Sequence, residues 1–237
     1  PPRSTQGVSS AASDVYKRQV AIPAGTFDMG SPNYERNRLA DEGPVHKVKI
    51  DSFWIGKFEI TWDIFELFML RELDSKKVLD GSEVKIDVDG ISGATTPYVD
   101  MSFGMGKNNF PAVNMTHFAA SKFCKWLSLV SGNYYRLPTE AEWEYTCRAG
   151  SNSDYYFGDD INQIDNYAWH KNNSGDKYQK VGLKEPNKWG IYDMLGNVSE
   201  WVADSYEENI FKSKKLRSDP FIFNKSKYPK VYRGGSW

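Results

Sequence analysis

Cysteine and histidine are scarce in this chain of 237 residues, which contains two cysteines and three histidines. Cys124 and Cys147 form no Cys-x-x-Cys pair, so the sequence excludes a disulfide-dense scaffold and argues against a structural zinc site. His46, His117 and His170 are scattered, without a second ligand at helical or hairpin spacing. They therefore predict no histidine-based metal site.

An excess of one charge and a long apolar run are also absent. The 30 Lys and Arg residues nearly balance 31 Asp and Glu residues, for a net charge of −1, and no basic face of the kind that binds nucleic acid is concentrated anywhere. No run approaches the roughly 18 apolar residues that a membrane helix needs. We therefore predict neither a nucleic-acid partner nor a membrane span. Localisation and oligomeric state stay open.

Aromatic residues are abundant, at 15% of the chain, and 40% of the residues are hydrophobic. This composition supports one large domain with its own core. The mean hydropathy of −0.62 indicates that much of the chain is polar loop. Residues 1–19 are rich in Ser and Ala and lack an apolar period, which predicts a disordered or artefactual leader. We therefore place the domain at residues 20–237.

Short strands and long loops are predicted from the apolar pattern. Residues Val20–Gly30 are typical of a strand, a turn and a second strand, and Val45–Ile55 alternates as one half-buried strand or a pair. The segments Lys76–Gly106 and Tyr206–Lys227 have no helical period, so both are predicted to be long loops. Loops of this length are uncommon in compact domains unless they serve a function.

Three helices are predicted to begin at threonine caps. Thr61 and Thr116 each precede a run of apolar residues at helical spacing. Thr139 is followed three positions later by Glu142, which is the capping-box pattern for a third helix.

Five segments together resemble one known family. They are Ile22–Gly30 (IPAGTFDMG), Phe53–Thr61 (FWIGKFEIT), Tyr135–Tyr145 (YRLPTEAEWEY), Trp189–Trp201 (WGIYDMLGNVSEW) and Arg233–Trp237 (RGGSW). In this order they resemble the formylglycine-generating enzyme, or sulfatase-modifying factor, family from about residue 20 to the end.

The resemblance implies an α+β, C-type-lectin-like fold with few helices, short antiparallel strands and long irregular loops, usually stabilised by calcium. The family's enzyme uses copper and oxygen to oxidise a cysteine of an unfolded sulfatase to formylglycine. Other members oxidise other sulfur-containing substrates, and some are non-catalytic binding domains. A sulfatase or another peptide is thus the partner that the resemblance implies.

A calcium site is predicted between Asp193 and Glu200. Calcium binds six to eight hard oxygen atoms from carboxylates and carbonyls. The two acidic residues supply carboxylates, and an extended backbone between them would turn the carbonyls of Gly196 and Val198 to one side. These four positions match one calcium site of the family. Spacing alone favours two ordinary loop charges, and it is the resemblance that favours calcium.

The family's catalytic cysteines are not found in this sequence. In the enzyme that it resembles, two copper-binding cysteines follow the Arg-Gly-Gly-Ser segment, whereas this sequence ends at Trp237. We therefore predict a domain that is incomplete at its C-terminus, and no catalytic residue, although Ser236 matches an active-site serine of the family. Copper would be a cofactor only if those cysteines exist, since thiolates suit Cu(I). Cys124 and Cys147 are predicted to be buried free thiols on two different helices. The alternative, a mutual disulfide, would need Cα atoms within about 7 Å.

Two functions stay open from the sequence. The parent protein is either a copper-dependent oxidase of the formylglycine-generating type or a non-catalytic, C-type-lectin-like module that binds a ligand or a protein. In the second case, the two predicted long loops would shape the binding surface.

Overall fold

The computed structural model describes residues 15, 17–35, 38–69, 100–208, 217–224 and 228–237. Most of the predicted loop at Lys76–Gly106 lies outside these residues, and so do parts of the predicted loop at Tyr206–Lys227. The same holds for the predicted leader, of which residues 15 and 17–19 are described.

The first half of the described chain begins with four short strands. They are β1 (Gln19–Ile22), β2 (Gly25–Met29), β3 (His46–Ile50) and β4 (Phe53–Gly56). These bounds confirm the strand-turn-strand prediction and show that Val45–Ile55 forms a pair of strands. β1 pairs antiparallel with β4, and β2 pairs antiparallel with β3. Alternate residues of β3 are buried, so one face of its sheet packs on the core.

Three further strands come from the second half of the chain. They are β5 (Glu200–Ser205), β6 (Arg217–Ser218) and β7 (Lys230–Arg233). β5 and β7 pair antiparallel, whereas β6 joins β3 in parallel. The parallel pair departs from the expected antiparallel pattern, and Asp219, directly after β6, continues its contact with β3. Its N–H donates to the Lys49 carbonyl and its carboxylate accepts from the Asp51 N–H.

The described residues form four α-helices: α1 (Trp62–Met69), α2 (His117–Ser131), α3 (Glu140–Arg148) and α4 (Ile164–Tyr167). Short 3-10 helices cover Ala40–Glu42 and Ile161–Gln163. The threonine caps of α2 and α3 are confirmed, because the side chain of Thr116 accepts from Ala119 N and that of Thr139 from Glu142 N. Within the described residues, no helix is both long and apolar enough to cross a bilayer.

Two clusters of buried hydrophobic residues form the core. One joins α1 and α2 through Phe65, Phe68, Phe123 and Trp126. The other joins the strands to α3 and includes Val48, Ile50, Trp143 and Val202. Val15 also packs in the first cluster, and β1 begins at Gln19. The domain boundary at residue 20 stays a prediction.

Candidate cation loop and adjoining cavity

Residues 193–200, which we call the carboxylate loop, form the end of the irregular segment between α4 and β5. Asp193 lies at its start, and Glu200 ends it as the first residue of β5. Asp193 and Asn197 have positive φ angles of 61° and 64°. Asp and Asn tolerate this left-handed backbone better than most residues. The loop therefore turns twice between its two acidic residues.

Asp193 is buried with one carboxylate oxygen unused. Its Oδ2 accepts a hydrogen bond of 2.7 Å from Gly182 N. Its Oδ1 is buried and accepts no hydrogen bond. Burial raises the pKa of Asp193 to about 6. A buried carboxylate oxygen without a donor is costly, so it marks a place where a cation would be stabilised.

Glu200 faces the same interior. Its Oε2 accepts a hydrogen bond of 3.0 Å from the indole Nε1 of Trp143. Burial raises the pKa of Glu200 to about 7, and the nearby charge of Asp193 acts in the same direction. The structure thus brings the two predicted carboxylates close enough to repel each other.

The backbone between these carboxylates is tightly packed. A Cβ on Gly196 would overlap the carbonyl oxygen of Trp169, so glycine is needed there. The carbonyl oxygens of Met194 and Val198 lie 3.7 and 3.8 Å from the position of a Cβ on Gly234. A Cβ on Gly235 would lie 2.6 Å from the Leu195 carbonyl oxygen. The Arg-Gly-Gly-Ser segment therefore passes directly across the loop.

Glu59 is a third carboxylate at this loop, and no local sequence pattern predicted it. It lies between β4 and α1, 138 positions from Asn197 in the sequence, and its Oε2 accepts a hydrogen bond of 2.7 Å from Asn197 Nδ2. Its Oε1 accepts from Val198 N at 3.1 Å. Burial, followed by the charges of Asp193 and Glu200, raises the pKa of Glu59 well above its ordinary value. Glu59 belongs to one of the five family-like segments, but nothing local to that segment indicates this contact.

The donor set of the loop fits calcium chemically, because carboxylates and carbonyls are hard oxygen ligands. The unused Oδ1 of Asp193 is the observation that favours a cation here. Across the described ranges, no group of three or more His, Cys, Asp or Glu side chains is arranged to hold a metal ion. Any cation in this loop would therefore depend on backbone carbonyls as well as on side chains.

Around Ala168 and Trp169, a lysine side chain of the protein itself supplies a positive charge. The ammonium group of Lys184 lies 3.9 Å from the centroid of the Trp169 ring and donates to the Asp165 carbonyl. Asn173 is engaged through its amide with Asp165 and Ala168. These contacts do not resemble a calcium site.

A large cavity of about 910 Å³ adjoins the carboxylate loop. This volume lies within the range of small-molecule and cofactor sites. Its walls come from β4, α1, α2, residues 133–138, residues 198–201 and the last two residues. Ser236 lines this cavity together with Trp237, Ser199 and Glu200. The serine that matches an active-site position of the family therefore faces an open space.

The two cysteines are free thiols in separate parts of the core. Cys124 packs against the cluster of α1 and α2, and Cys147 packs against the cluster of strands and α3. Burial raises the pKa of each thiol to about 12. Both are therefore protonated near neutral pH and do not form a pair of thiolates.

Comparison with known proteins supports the fold and the family. The model of the FGE-sulfatase family, described as a sulfatase-modifying factor enzyme 1-like domain, matches residues 5–237. The chain belongs to this family. The α+β, C-type-lectin-like fold expected for it is confirmed by the few helices and the small sheets of short strands.

Individual relatives differ in what their names state. The chain is similar to the formylglycine-generating enzyme of Mus musculus, with 28% identity over 79% of this chain and 58% of the relative. It is also 29% identical to the inactive C-alpha-formylglycine-generating enzyme 2 of Bos taurus, over 86% of this chain and 76% of that protein. The solved structure of PvdO from Pseudomonas aeruginosa has a TM-score of 0.71 and 30% identity, covering 92% of this chain and 82% of that one. This chain thus spans little more than half of the mouse enzyme's length.

Proposed function

We propose that this chain is a calcium-stabilised, sulfatase-modifying-factor-type domain that binds an extended, cysteine-containing peptide in its large cavity. This proposal rests on the cavity of about 910 Å³ beside Ser236. Concave sites of this size bury most of a ligand's surface and are lined mainly by apolar side chains. The peptide class is the one that the resemblance to the formylglycine-generating enzyme family implies.

Calcium would be held by the carboxylates of Asp193 and Glu200 and by the carbonyls of Gly196 and Val198. The unused Oδ1 of Asp193 supports this assignment. The ion would supply the positive charge that the buried Asp193 and the partly buried Glu200 lack. The role of the ion would be structural, because the loop is bonded to the C-terminal segment that lines the cavity. Ser199 Oγ donates to the Gly235 carbonyl at 3.4 Å, and Trp237 N donates to the Asn197 carbonyl at 3.1 Å.

Oxidation of a cysteine by the parent protein is the second candidate. It is favoured by the position of Ser236 on the cavity wall and by the active relatives. Copper would require thiolates other than Cys124 and Cys147, since both thiols are protonated near neutral pH. We therefore expect the 237-residue chain to produce no formylglycine from a sulfatase peptide with copper and oxygen. Mass spectrometry of the peptide would detect any conversion.

Binding can be tested with a fluorescently labelled, unfolded peptide that surrounds a sulfatase cysteine. Fluorescence anisotropy should show saturable binding to the wild-type chain. The Ser236→Trp variant should weaken it at least about tenfold by filling the cavity beside Trp237. Ser52→Trp is the matched control, because Ser52 is exposed in the turn between β3 and β4 and does not line the cavity. Equal affinity for Ser236→Trp and wild type would exclude the cavity as the peptide site.

A further inference from the structure

Asn197 is the most heavily bonded residue of the carboxylate loop. It is fully buried, at 0% exposure, and its own N–H donates to the Trp169 carbonyl at 2.9 Å. Its side-chain Oδ1 accepts from Gln179 N at 2.8 Å. Its carbonyl accepts from Trp237 N at 3.1 Å. One residue therefore joins the middle of the loop to three separate segments of the chain.

Glu59 completes this arrangement from a fourth segment. Its two carboxylate oxygens accept from consecutive residues of the loop, Asn197 Nδ2 at 2.7 Å and Val198 N at 3.1 Å. Two bonds from one rigid carboxylate fix both the position and the rotation of the peptide unit between them. The Val198 carbonyl, one of the proposed calcium ligands, follows directly from that peptide unit.

We infer that Glu59 is a positioning residue for the carboxylate loop, acting through Asn197 and Val198 to hold the loop in its cation-binding shape. The inference rests on the calcium site proposed above and adds a residue that is not among its ligands. Groups that orient metal ligands typically affect metal affinity 10- to 100-fold when they are changed. Because Asn197 also accepts from Trp237, the same pair connects the loop to the cavity wall.

Glu59→Gln tests this role with little change in shape. The new amide places an N–H₂ group against one of the two N–H donors, so one bond to the loop is lost. With terbium as the probe, luminescence excited through tryptophan reports binding directly, because Trp143 lies against Glu200. We expect terbium affinity to fall at least about tenfold, and calcium competition to show the same loss. Glu207→Gln, at an exposed position outside the loop, should leave the affinity unchanged.

A reciprocal exchange separates positioning from general damage. Asn197→Asp alone turns an oxygen toward Glu59 and should weaken terbium binding by a similar factor. In the double variant Glu59→Gln with Asn197→Asp, the new amide at position 59 can donate to the new carboxylate at position 197, while the amide oxygen still accepts from Val198 N. We expect this double variant to bind terbium more tightly than Asn197→Asp alone, although it still lacks the bond of 3.2 Å that Asn197 Nδ2 donates to the Gln179 carbonyl. If the two substitutions merely damaged the fold, their separate losses of terbium affinity would instead be summed in the double variant.

The outcomes distinguish the two proposals. If wild type binds neither terbium nor calcium, the calcium site is wrong and the role of Glu59 falls with it. If wild type binds and Glu59→Gln binds equally well, the calcium site stands and the positioning role is overturned. Should Glu59→Gln fail to fold, the comparison of Asn197→Asp with the double variant decides, and absence of rescue counts against the inference.

Discussion

Two buried acidic regions of this domain are neutralised in different ways. Glu144 on α3 accepts from Gly30 N at 2.9 Å and forms ion pairs with Arg148 at 2.9 Å and Arg233 at 2.7 Å. Although burial acts to raise it, these two arginines hold the pKa of Glu144 below its ordinary value. In the carboxylate loop, the pKa values of Asp193 and Glu200 are raised instead.

The difference lies in where the counter-charge comes from. In the described part of the chain, no Lys or Arg forms an ion pair with Asp193, Glu200 or Glu59. Burying a charge without a partner is expensive, whereas a paired and hydrogen-bonded charge is tolerated. The α3 region carries its own cations, whereas the carboxylates of the loop have no cationic side chain paired with them in the described residues. The predictions below test this contrast, starting with the largest expected effect.

The largest expected loss of stability follows from removing the charge of Glu144, which is paired with two arginines. Glu144→Gln leaves Arg148 and Arg233 without their shared partner, and breaking a buried pair in this way costs about 3–5 kcal/mol. Urea unfolding measures the loss, which should be the same with and without calcium. Glu66→Gln is the control, because the pair of Glu66 with Lys107 is more exposed than the pairs of Glu144 and is worth under about 1 kcal/mol. A smaller loss of unfolding free energy in Glu144→Gln than in Glu66→Gln would contradict the view that the α3 region depends on its own ion pairs.

Because the carboxylates of the carboxylate loop have no paired cation, the free energy of unfolding should fall as the pH rises. The folded-state pKa of Asp193 is raised from 3.8 to about 6, and that of Glu200 from 4.5 to about 7. The folded state therefore binds protons more tightly, and this stabilising contribution, complete below about pH 4, is lost as the pH rises through 6 to 7. For Asp193 alone the shift corresponds to at most about 3 kcal/mol.

The measurement is the free energy of unfolding at pH 5 and pH 8 without calcium, compared between wild type and Asp193→Asn. Taking the difference between the two proteins cancels other groups that titrate in this window, such as Glu140, whose pKa burial raises to about 7. Asp193→Asn should lose less stability between these pH values. Parallel pH profiles for the two proteins would refute the assignment.

Calcium should stabilise the wild-type chain and have no such effect on the Asp193→Asn variant. At a calcium concentration 100 times the dissociation constant, the gain is about 2.7 kcal/mol. For a chain of this size that corresponds to a rise of roughly 5–10 °C in the melting temperature, measured by differential scanning fluorimetry. Magnesium at the same concentration is the control, since it prefers a stricter octahedral shell. A rise that persists in Asp193→Asn would place the ion elsewhere.

Local patterns in the sequence predicted more of the fold than of the site. The capping box at Thr139 and Glu142 and the alternation in β3 are encoded within a few residues, and both are confirmed. The two acidic residues of the loop were singled out by the resemblance to the family, since their spacing alone favours ordinary loop charges. Glu59 was missed because its contact with Asn197 spans 138 positions. Packing of remote segments determines such contacts, and a single sequence without relatives carries no periodic signal for them.

The smallest expected effect concerns the N-cap of α3. Thr139→Ala removes the hydroxyl that accepts from Glu142 N at 3.2 Å but keeps the backbone N–H that donates to Glu142 Oε2 at 2.8 Å. Loss of such a cap costs about 1 kcal/mol, which urea unfolding can resolve. The stabilisation by calcium should not change, because Trp143, the residue of α3 that bonds Glu200, lies one turn further along the helix. A smaller calcium effect in Thr139→Ala would mean that the two acidic regions are coupled through α3, and the contrast between them would then have to be abandoned.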